Sequence, residues 1–280
     1  MNDSLRLFVQ KITKLPTLPL VAHEILSIAR DDLVSIKNLE AIVSRDPAIS
    51  GKIVSVSNAA FFGYKTDRTT VANAIQKLGF TNVKNIALGI SLMTIFDDKH
   101  DGYDYNYGRI YRHSIATGSV AAFMAENFKI KTEDDLFLCG MLHDFGLLLL
   151  THFFPDLCSS VAEVARERKN LLEAETIVLG FTHADIGAWL ADTWNLPDTL
   201  HEVILYHHSP SLAGKHKQQV AIIHLADYIA CKRSFRTYEE VSCPSLDPLV
   251  LFLLNMPERN FDDIESVIPD AIFANGIFSS

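Results

Sequence analysis

Histidine and aspartate residues recur inside apolar segments in the second half of the chain. They occur at five places: His113, the pair His143 and Asp144, His183, the pair His207 and His208, and Asp227. Burying such groups is costly unless hydrogen bonds or an opposite charge compensate them. The pattern therefore predicts either a closed network of polar side chains or a buried metal centre.

Five imidazoles and two carboxylates form a ligand set that suits divalent transition metals. Nitrogen and carboxylate ligands favour iron, manganese, zinc or nickel, whereas magnesium prefers oxygen ligands and water. Taken singly, each histidine is more often a core or helix-end residue than a ligand, and a full hydrogen-bond network is the alternative. Taken together, these residues favour a pair of divalent transition metal ions.

His143 and Asp144 lie within the apolar run LFLCGMLHDFGLLLL. Neighbouring residues of a helix project about 100° apart around its axis. The imidazole can therefore face one metal while the carboxylate lies between two. The apolar run would exclude water from the site, and the metals would compensate the buried polar pair.

The elements that position these residues are predicted to be helices, because apolar residues recur at helical spacing and strict alternation is scarce. The fold class is all-α. Asp46 and Thr81 are expected to begin helices, as is Ser35, and Gly79 to end one. The predicted helices are 18–30, 35–45, 47–62, 70–80, 81–96, 111–128, 134–153, 155–170, 171–180, 183–194, 198–208 and 218–232.

A polar segment rich in tyrosine and glycine, residues 97–109, separates two helical series. We expect an N-terminal helical subdomain over residues 1–100, a subdomain that carries the candidate ligands over 108–235, and a C-terminal helical extension over 236–280. The short loops of the second series require its helices to pack as neighbours.

The amino-acid composition restricts the classes of protein to which the chain can belong. The chain has 280 residues, of which 48% are hydrophobic and 21% are charged, which is typical of a globular protein. A net charge of -9, without a long basic run, argues against general nucleic-acid binding. The longest apolar run is interrupted by His143 and Asp144, so no membrane helix is predicted. The N-terminus has no secretory pattern and the four cysteines form no CxxC pair, so we expect reduced thiols in a cytoplasmic protein.

The order of these residues resembles the HD superfamily of metal-dependent phosphohydrolases, and within it the HDOD branch. The first half contributes KLPTLPLVAHEIL, RDPAISGKIVSVSNAAFFG and AIQKLGF, and the second contributes LHDFGLLLL, LGFTHADIGAWLADTWNLP and ILYHHSP. The resemblance covers about residues 10–230. It implies an HD-type helical bundle with an N-terminal helical subdomain, and a role in bacterial signalling.

The resemblance also implies a ligand set and a chemistry. One metal would be held by His113, His143, Asp144 and Asp227, and Asp144 would bridge to a second metal held by His183, His207 and His208. Asp144 would thereby position a hydroxide between the two metals for in-line attack on a phosphoester. It is the residue expected to be catalytic.

The sequence departs from the related HD-GYP phosphodiesterases, which cleave cyclic di-GMP. Those enzymes carry a lysine where this chain has Leu147, and a glycine-tyrosine-proline loop where it has HHSPSLAGKHK. The retained ligands and the missing HD-GYP residues together support two alternative functions. The first is a metal-dependent phosphohydrolase that acts on a nucleotide or another phosphoester. The second is a non-catalytic HDOD regulatory module that binds a signalling protein partner.

Other polar residues near the motifs have two interpretations. Four cations could meet an anionic ligand, although a solvated surface position is the more frequent role: Arg109, Arg112, Lys232 and Arg233. His201 could support His208, and His224 could orient the carboxylate of Asp227. Half-buried packing is at least as frequent for such histidines.

Overall fold

The computed structural model describes residues 3–12, 15, 17–28, 36–57, 70–96, 107–130, 132, 135–238, 241–256 and 258–273. All regular structure in these ranges is helical, as predicted. The helices are α1 (Asp3–Val9), α2 (Leu20–Ile28), α3 (Ile36–Val43), α4 (Pro47–Ser57), α5 (Val71–Leu78), α6 (Phe80–Met93), α7 (Tyr107–Asn127), α8 (Leu136–Leu142), α9 (Phe145–Phe153), α10 (Pro155–Arg168), α11 (Leu171–Leu179), α12 (His183–Thr193), α13 (Asp198–Tyr206), α14 (Lys217–Lys232), α15 (Val250–Leu253) and α16 (Phe261–Ser266).

The chain divides into two compact units. The larger contains Met1–Leu15 and Phe96–Val267, and the smaller contains Pro16–Ile95 and Ile268–Ser280. In the smaller unit, α6 contacts α2, α4 and α5 and buries most of its residues. All seven candidate ligands belong to the larger unit.

The predicted helix ends of the smaller unit have different outcomes. Asp46 caps α4, because its carboxylate accepts the backbone N–H of Ile49 at 3.1 Å. Gly79 ends α5 with a φ of 84°. Thr81 does not begin a helix, since α6 starts directly after Gly79, at Phe80. Ser35 lies outside the described residues.

In the larger unit, α7 packs against α8 and α14, and α12 packs against α9 and α13. Two close backbone contacts made by glycines set these distances. A Cβ atom on Gly140 would overlap the backbone of Gly118 in α7, and a Cβ atom on Gly146 would overlap the carbonyl group of His183. The absence of these side chains lets α7 approach α8 and lets α9 approach α12.

The segment 134–153 was predicted as one helix, but the structure forms two. α8 ends at Leu142 and α9 begins at Phe145, so His143 and Asp144 form the turn between them. Asp144 precedes α9 as its N-cap residue, yet its side chain makes no capping hydrogen bond. A capping bond would stabilise the helix by about 1 kcal/mol. The carboxylate instead faces the histidines, which the periodicity of the sequence does not show.

The cysteines do not all match the expected reduced state. Cys231 and Cys243 form a disulfide, whereas Cys139 and Cys158 are buried and are not disulfide-bonded. The expectation of four reduced thiols was therefore wrong for one pair, whose spacing of 12 residues carries no motif.

The stretch Leu136–Phe153 is long and apolar enough to cross a membrane, but 89% of it is buried inside the protein. Its apolar side chains are therefore accounted for by the core of the larger unit.

Candidate metal centre

The structure brings all seven predicted ligands together in two adjoining groups. The first group contains His113, His143 and Asp227, and the second contains Asp144, His183, His207 and His208. Within each group the candidate ligand atoms all lie within 4.8 Å of one another. Six of these side chains are buried, and His208 is half-buried.

The carboxylate of Asp144 lies between the two groups. Its Oδ2 atom lies 3.5 Å from Nε2 of His113 and 3.4 Å from Nε2 of His143. Its Oδ1 atom lies 3.2 Å from Nε2 of His183 and 3.5 Å from Nε2 of His207. Each oxygen of one carboxylate thus faces a different pair of imidazoles, which is the arrangement required of a bridging ligand.

The remaining distances complete the two groups. Nε2 of His113 lies 3.1 Å from Oδ1 of Asp227 and 3.2 Å from Nε2 of His143. In the other group, Nε2 of His183 lies 3.0 Å from Nε2 of His208 and 3.4 Å from Nε2 of His207.

The other ring nitrogen of three histidines lies beside a backbone carbonyl oxygen. The Nδ1 atoms of His113, His143 and His207 lie 2.6, 2.7 and 2.9 Å from the carbonyl oxygens of Phe235, Gly140 and Ile204. A neutral imidazole that donates from Nδ1 carries its lone pair on Nε2. The Nε2 lone pairs therefore converge, and a cation is the group that can satisfy several of them at once.

Glu175 supports a fourth histidine, His183, and no sequence pattern indicated this role. Its carboxylate is fully buried and accepts the backbone N–H of His183 at 3.0 Å. Nδ1 of the same histidine lies 2.8 Å from Glu175 Oε2. This double contact fixes the ring and directs Nε2 towards Asp144. A fully buried glutamate eight positions before His183 is unusual, but in the sequence it resembles any polar residue of an amphipathic helix.

The neighbouring carboxylates raise the pKa of two histidines of the centre. Burial lowers the pKa of His113, but the hydrogen bond and charge of Asp227 and the charge of Asp144 outweigh it and raise that pKa to about 9. Burial likewise opposes protonation of His183, whose pKa is raised well above its usual value by Glu175 and Asp144. Burial raises the pKa of Asp144, but the charge and hydrogen bond of His143, with hydrogen bonds from His183 and His207, hold it well below its usual value.

The paired histidines behave in the opposite way. Burial is the main cause that lowers the pKa of His207, and burial with the charges of His207 and His183 lowers that of His208 well below its usual value. Both rings therefore favour the neutral form that ligates metals. Nδ1 of His208 has no hydrogen-bond partner among the described residues.

These observations fit a site that binds metal. The centre offers imidazole nitrogens and carboxylate oxygens, which iron, manganese, zinc and nickel accept. The first group with Asp144 would hold one ion, and the second group would hold the other, with Asp144 shared.

His224 and His201, which the sequence suggested as supports for candidate ligands, make other contacts in the structure. Nδ1 of His224 lies 2.6 Å from the carbonyl oxygen of His207, and its Nε2 accepts the backbone N–H of Asp247 at 2.8 Å. It therefore holds the backbone of a candidate ligand and does not orient the carboxylate of Asp227. His201 lies 3.4 Å from Asp192 and takes no part in the centre.

A cavity of about 240 Å³ opens onto the centre. Five candidate ligands line it: His113, Asp144, His183, His208 and Asp227. The other lining residues include Lys169, Asn170, Leu171, Arg236, Tyr238, Val241, Pro244 and the disulfide Cys231–Cys243.

None of the four cations considered from the sequence lines this cavity. Lys232 and Arg233 instead form ion pairs with Glu265. Leu147 is fully buried in the core and does not line the cavity either.

Comparison with known proteins gives one family. The HDOD domain model matches residues 15–210. An uncharacterized protein of Treponema pallidum (strain Nichols) is 24% identical over 221 residues, which are 78% of this chain but only 42% of that protein.

Two solved structures share the fold. An HDOD domain protein of unknown function from Geobacter sulfurreducens has a TM-score of 0.76 at 23% identity, over 94% of this chain and 87% of its own. A structure from Shewanella amazonensis SB2B, described as a candidate phosphohydrolase, has a TM-score of 0.72 at 19% identity, over 99% of this chain and 96% of its own.

Proposed function

This chain belongs to the HDOD family, and we propose that it is a metal-dependent phosphohydrolase acting on a nucleotide or another small phosphoester in signalling. The observation that carries the proposal is the carboxylate of Asp144, whose two oxygens face separate pairs of imidazoles beneath an open cavity. The name of the Shewanella relative, a candidate phosphohydrolase, agrees with this function.

Two bound divalent ions would polarise a phosphoryl group and make a water molecule nucleophilic near neutral pH. The residues of this chain would hold the ions, orient a ligand and limit access to the centre. Asp144 is shared between the two groups, and Glu175 fixes the ring of His183. His143 and His207 are fully buried, and water and substrate would reach the centre through the cavity that the other candidate ligands line.

Cyclic di-GMP is not the substrate that we propose. The side chain of Leu147 lies in the core and cannot donate a hydrogen bond to a phosphate oxygen. A cavity of about 240 Å³ is also smaller than the roughly 300–1,000 Å³ of typical ligand pockets. Both observations favour a smaller phosphoester.

A regulatory module that binds a signalling protein partner is the second candidate function. The chain spans less than half of the Treponema relative, so the matched region is one part of a longer protein there. In this function the metals would stabilise the domain without turnover, because ligands from several helices would meet at them.

Elemental analysis and one assay test the proposal. Protein purified without chelator or metal resin should carry about two transition metal ions per chain, and should hydrolyse bis-p-nitrophenyl phosphate in a manganese- or iron-dependent manner. That substrate has a good leaving group, so it needs few contacts beyond the metals. Metal without turnover would favour the regulatory module, and absence of both would reject the enzyme.

A further inference from the structure

The wall of the cavity carries positively charged side chains as well as candidate metal ligands. Apart from those ligands, the described lining residues include two side chains that are charged at neutral pH, Lys169 and Arg236. Both are cations. One cavity is therefore lined both by candidate metal ligands and by two cations.

Arg236 is held in place by its own segment. Its Nε donates to the carbonyl oxygen of Cys231 at 3.4 Å, and its Nη1 donates to that of Val241 at 3.5 Å. These bonds connect the guanidinium to the end of α14 and to the returning chain. A guanidinium oriented in advance loses little conformational entropy when it binds an anion.

Lys169 lies on a segment that is bonded to this one. It follows α10 in the left-handed conformation, with a φ of 57°, and its carbonyl oxygen accepts the backbone N–H of Ser242 at 3.3 Å. The disulfide between Cys231 and Cys243 closes the loop that carries Arg236 and lines the same cavity. The two cations therefore belong to one cross-linked part of the wall.

We propose that Lys169 and Arg236 form an anion subsite beside the metal centre, and that the substrate is a small phosphoester with a second phosphate group. This inference rests on the proposed function, since one phosphate would lie at the metals. Two cations match the two negative charges of a terminal phosphate, and arginine binds phosphate oxygens through parallel N–H groups. Leu171, Val241 and Pro244 supply apolar contacts for the part between the phosphates.

Binding of matched nucleotides to the full chain loaded with manganese tests the inference. Isothermal titration calorimetry would compare adenosine 5′-monophosphate with ADP, adenosine 2′,5′-bisphosphate and adenosine 3′,5′-bisphosphate. The last three ligands carry a second phosphate group, which is at a different position in each. At least one of them should bind about tenfold more tightly than the monophosphate, as expected for one added charge-assisted contact.

Substitutions identify the residues responsible. Lys169→Gln and Arg236→Gln should each reduce the gain from the second phosphate to about threefold or less, and Arg236→Lys should retain part of it. Lys232→Gln is the matched control, because it removes an equal charge from a lysine that pairs with Glu265 outside the cavity. If Arg236→Gln does not fold, Lys169→Gln still tests the anion subsite, because Lys169 is exposed and its substitution should leave the fold intact.

Two results would overturn the anion subsite. One is a gain below threefold for all three ligands on the unmodified protein. The other is a gain that survives both substitutions. Either result is distinct from failure of the proposed function, which would appear as absence of metal or of bis-p-nitrophenyl phosphate hydrolysis in the unmodified protein.

Discussion

Glu175 accepts two hydrogen bonds from His183, one from the backbone N–H at 3.0 Å and one from Nδ1 at 2.8 Å. One carboxylate therefore fixes both the position of the residue and the orientation of its ring. Partners of this kind fix the tautomer and orientation of a ligating histidine ring, and their loss costs about 10–100-fold in metal affinity.

Glu175→Gln should weaken metal binding in the group that contains His183 by about tenfold or more. Nδ1 of His183 faces both carboxylate oxygens, at 2.9 and 2.8 Å; the amide replaces one of them with an NH₂ group that cannot accept a hydrogen bond, and it removes the negative charge. Metal titration with a competing chelator would measure the change. Glu173→Gln is the control on the same helix, since the side chain of Glu173 is 45% exposed and pairs with Arg168. Equal affinities of the two variants would show that Glu175 does not position His183.

Asp144→Ala should lose both metals, because it removes the one carboxylate that lies between the two groups. His183→Ala should lose mainly one, since its Nε2 belongs to a single group. Metal-to-protein ratios after removal of excess ion would distinguish the two variants. An Asp144→Ala protein with unchanged metal content would contradict the bridging role.

The candidate ligands could be predicted from the sequence because each interrupts an apolar helical pattern, and such interruptions are rare without a function. The helices were predicted for the same reason, since their periodicity is local. The break between α8 and α9 was not predicted, because the residues around His143 and Asp144 continue an apolar helical pattern. It depends on tertiary contacts of those two side chains.

The wall of the cavity could not be predicted, because distant segments form it. Lys169 meets Ser242 through a backbone hydrogen bond, and Cys231 meets Cys243 through a disulfide. Neither pair of residues forms a recognisable sequence motif. Lys232 and Arg233 lie closer in sequence to the candidate ligand Asp227 than Lys169 and Arg236 do, yet they point to Glu265. Proximity in sequence therefore does not identify the cations that face a site.

Gly146→Ala should destabilise the larger unit and reduce its metal content. The new Cβ would overlap the carbonyl group of His183, so α12 must move away from α9. Overpacking of this kind costs about 1–3 kcal/mol. Urea unfolding and metal analysis of the same preparation would measure both effects.

Gly51→Ala is the control for that substitution. Gly51 lies in α4, and a Cβ there would meet no atom within 4 Å. This change should be neutral or stabilise by up to about 1 kcal/mol. If the two alanine variants have the same stability and metal content, the close approach of α9 and α12 does not position His183.

The metal-free protein should lose stability as the pH rises from 6.5 to about 9. The pKa of His113 is raised from 6.5 to about 9 in the folded state, where Asp227 and Asp144 outweigh the opposing effect of burial. Because the folded pKa lies above the unfolded one, the stabilisation is fully present below pH 6.5 and is lost as the pH passes through about 9. The raised pKa of His183 acts in the same direction.

Metal affinity should instead increase as the pH rises, because an ion must displace the proton of His113 before the imidazole can ligate it. Thermal unfolding in chelator and in added manganese, at about pH 6.5 and 8.5, would measure both trends. The difference between the two melting temperatures should grow with pH in the unmodified protein. His113→Gln removes the titrating ring, so its curve in chelator should depend less on pH. If the curves of the two proteins in chelator have the same pH dependence, His113 is not protonated in the metal-free centre.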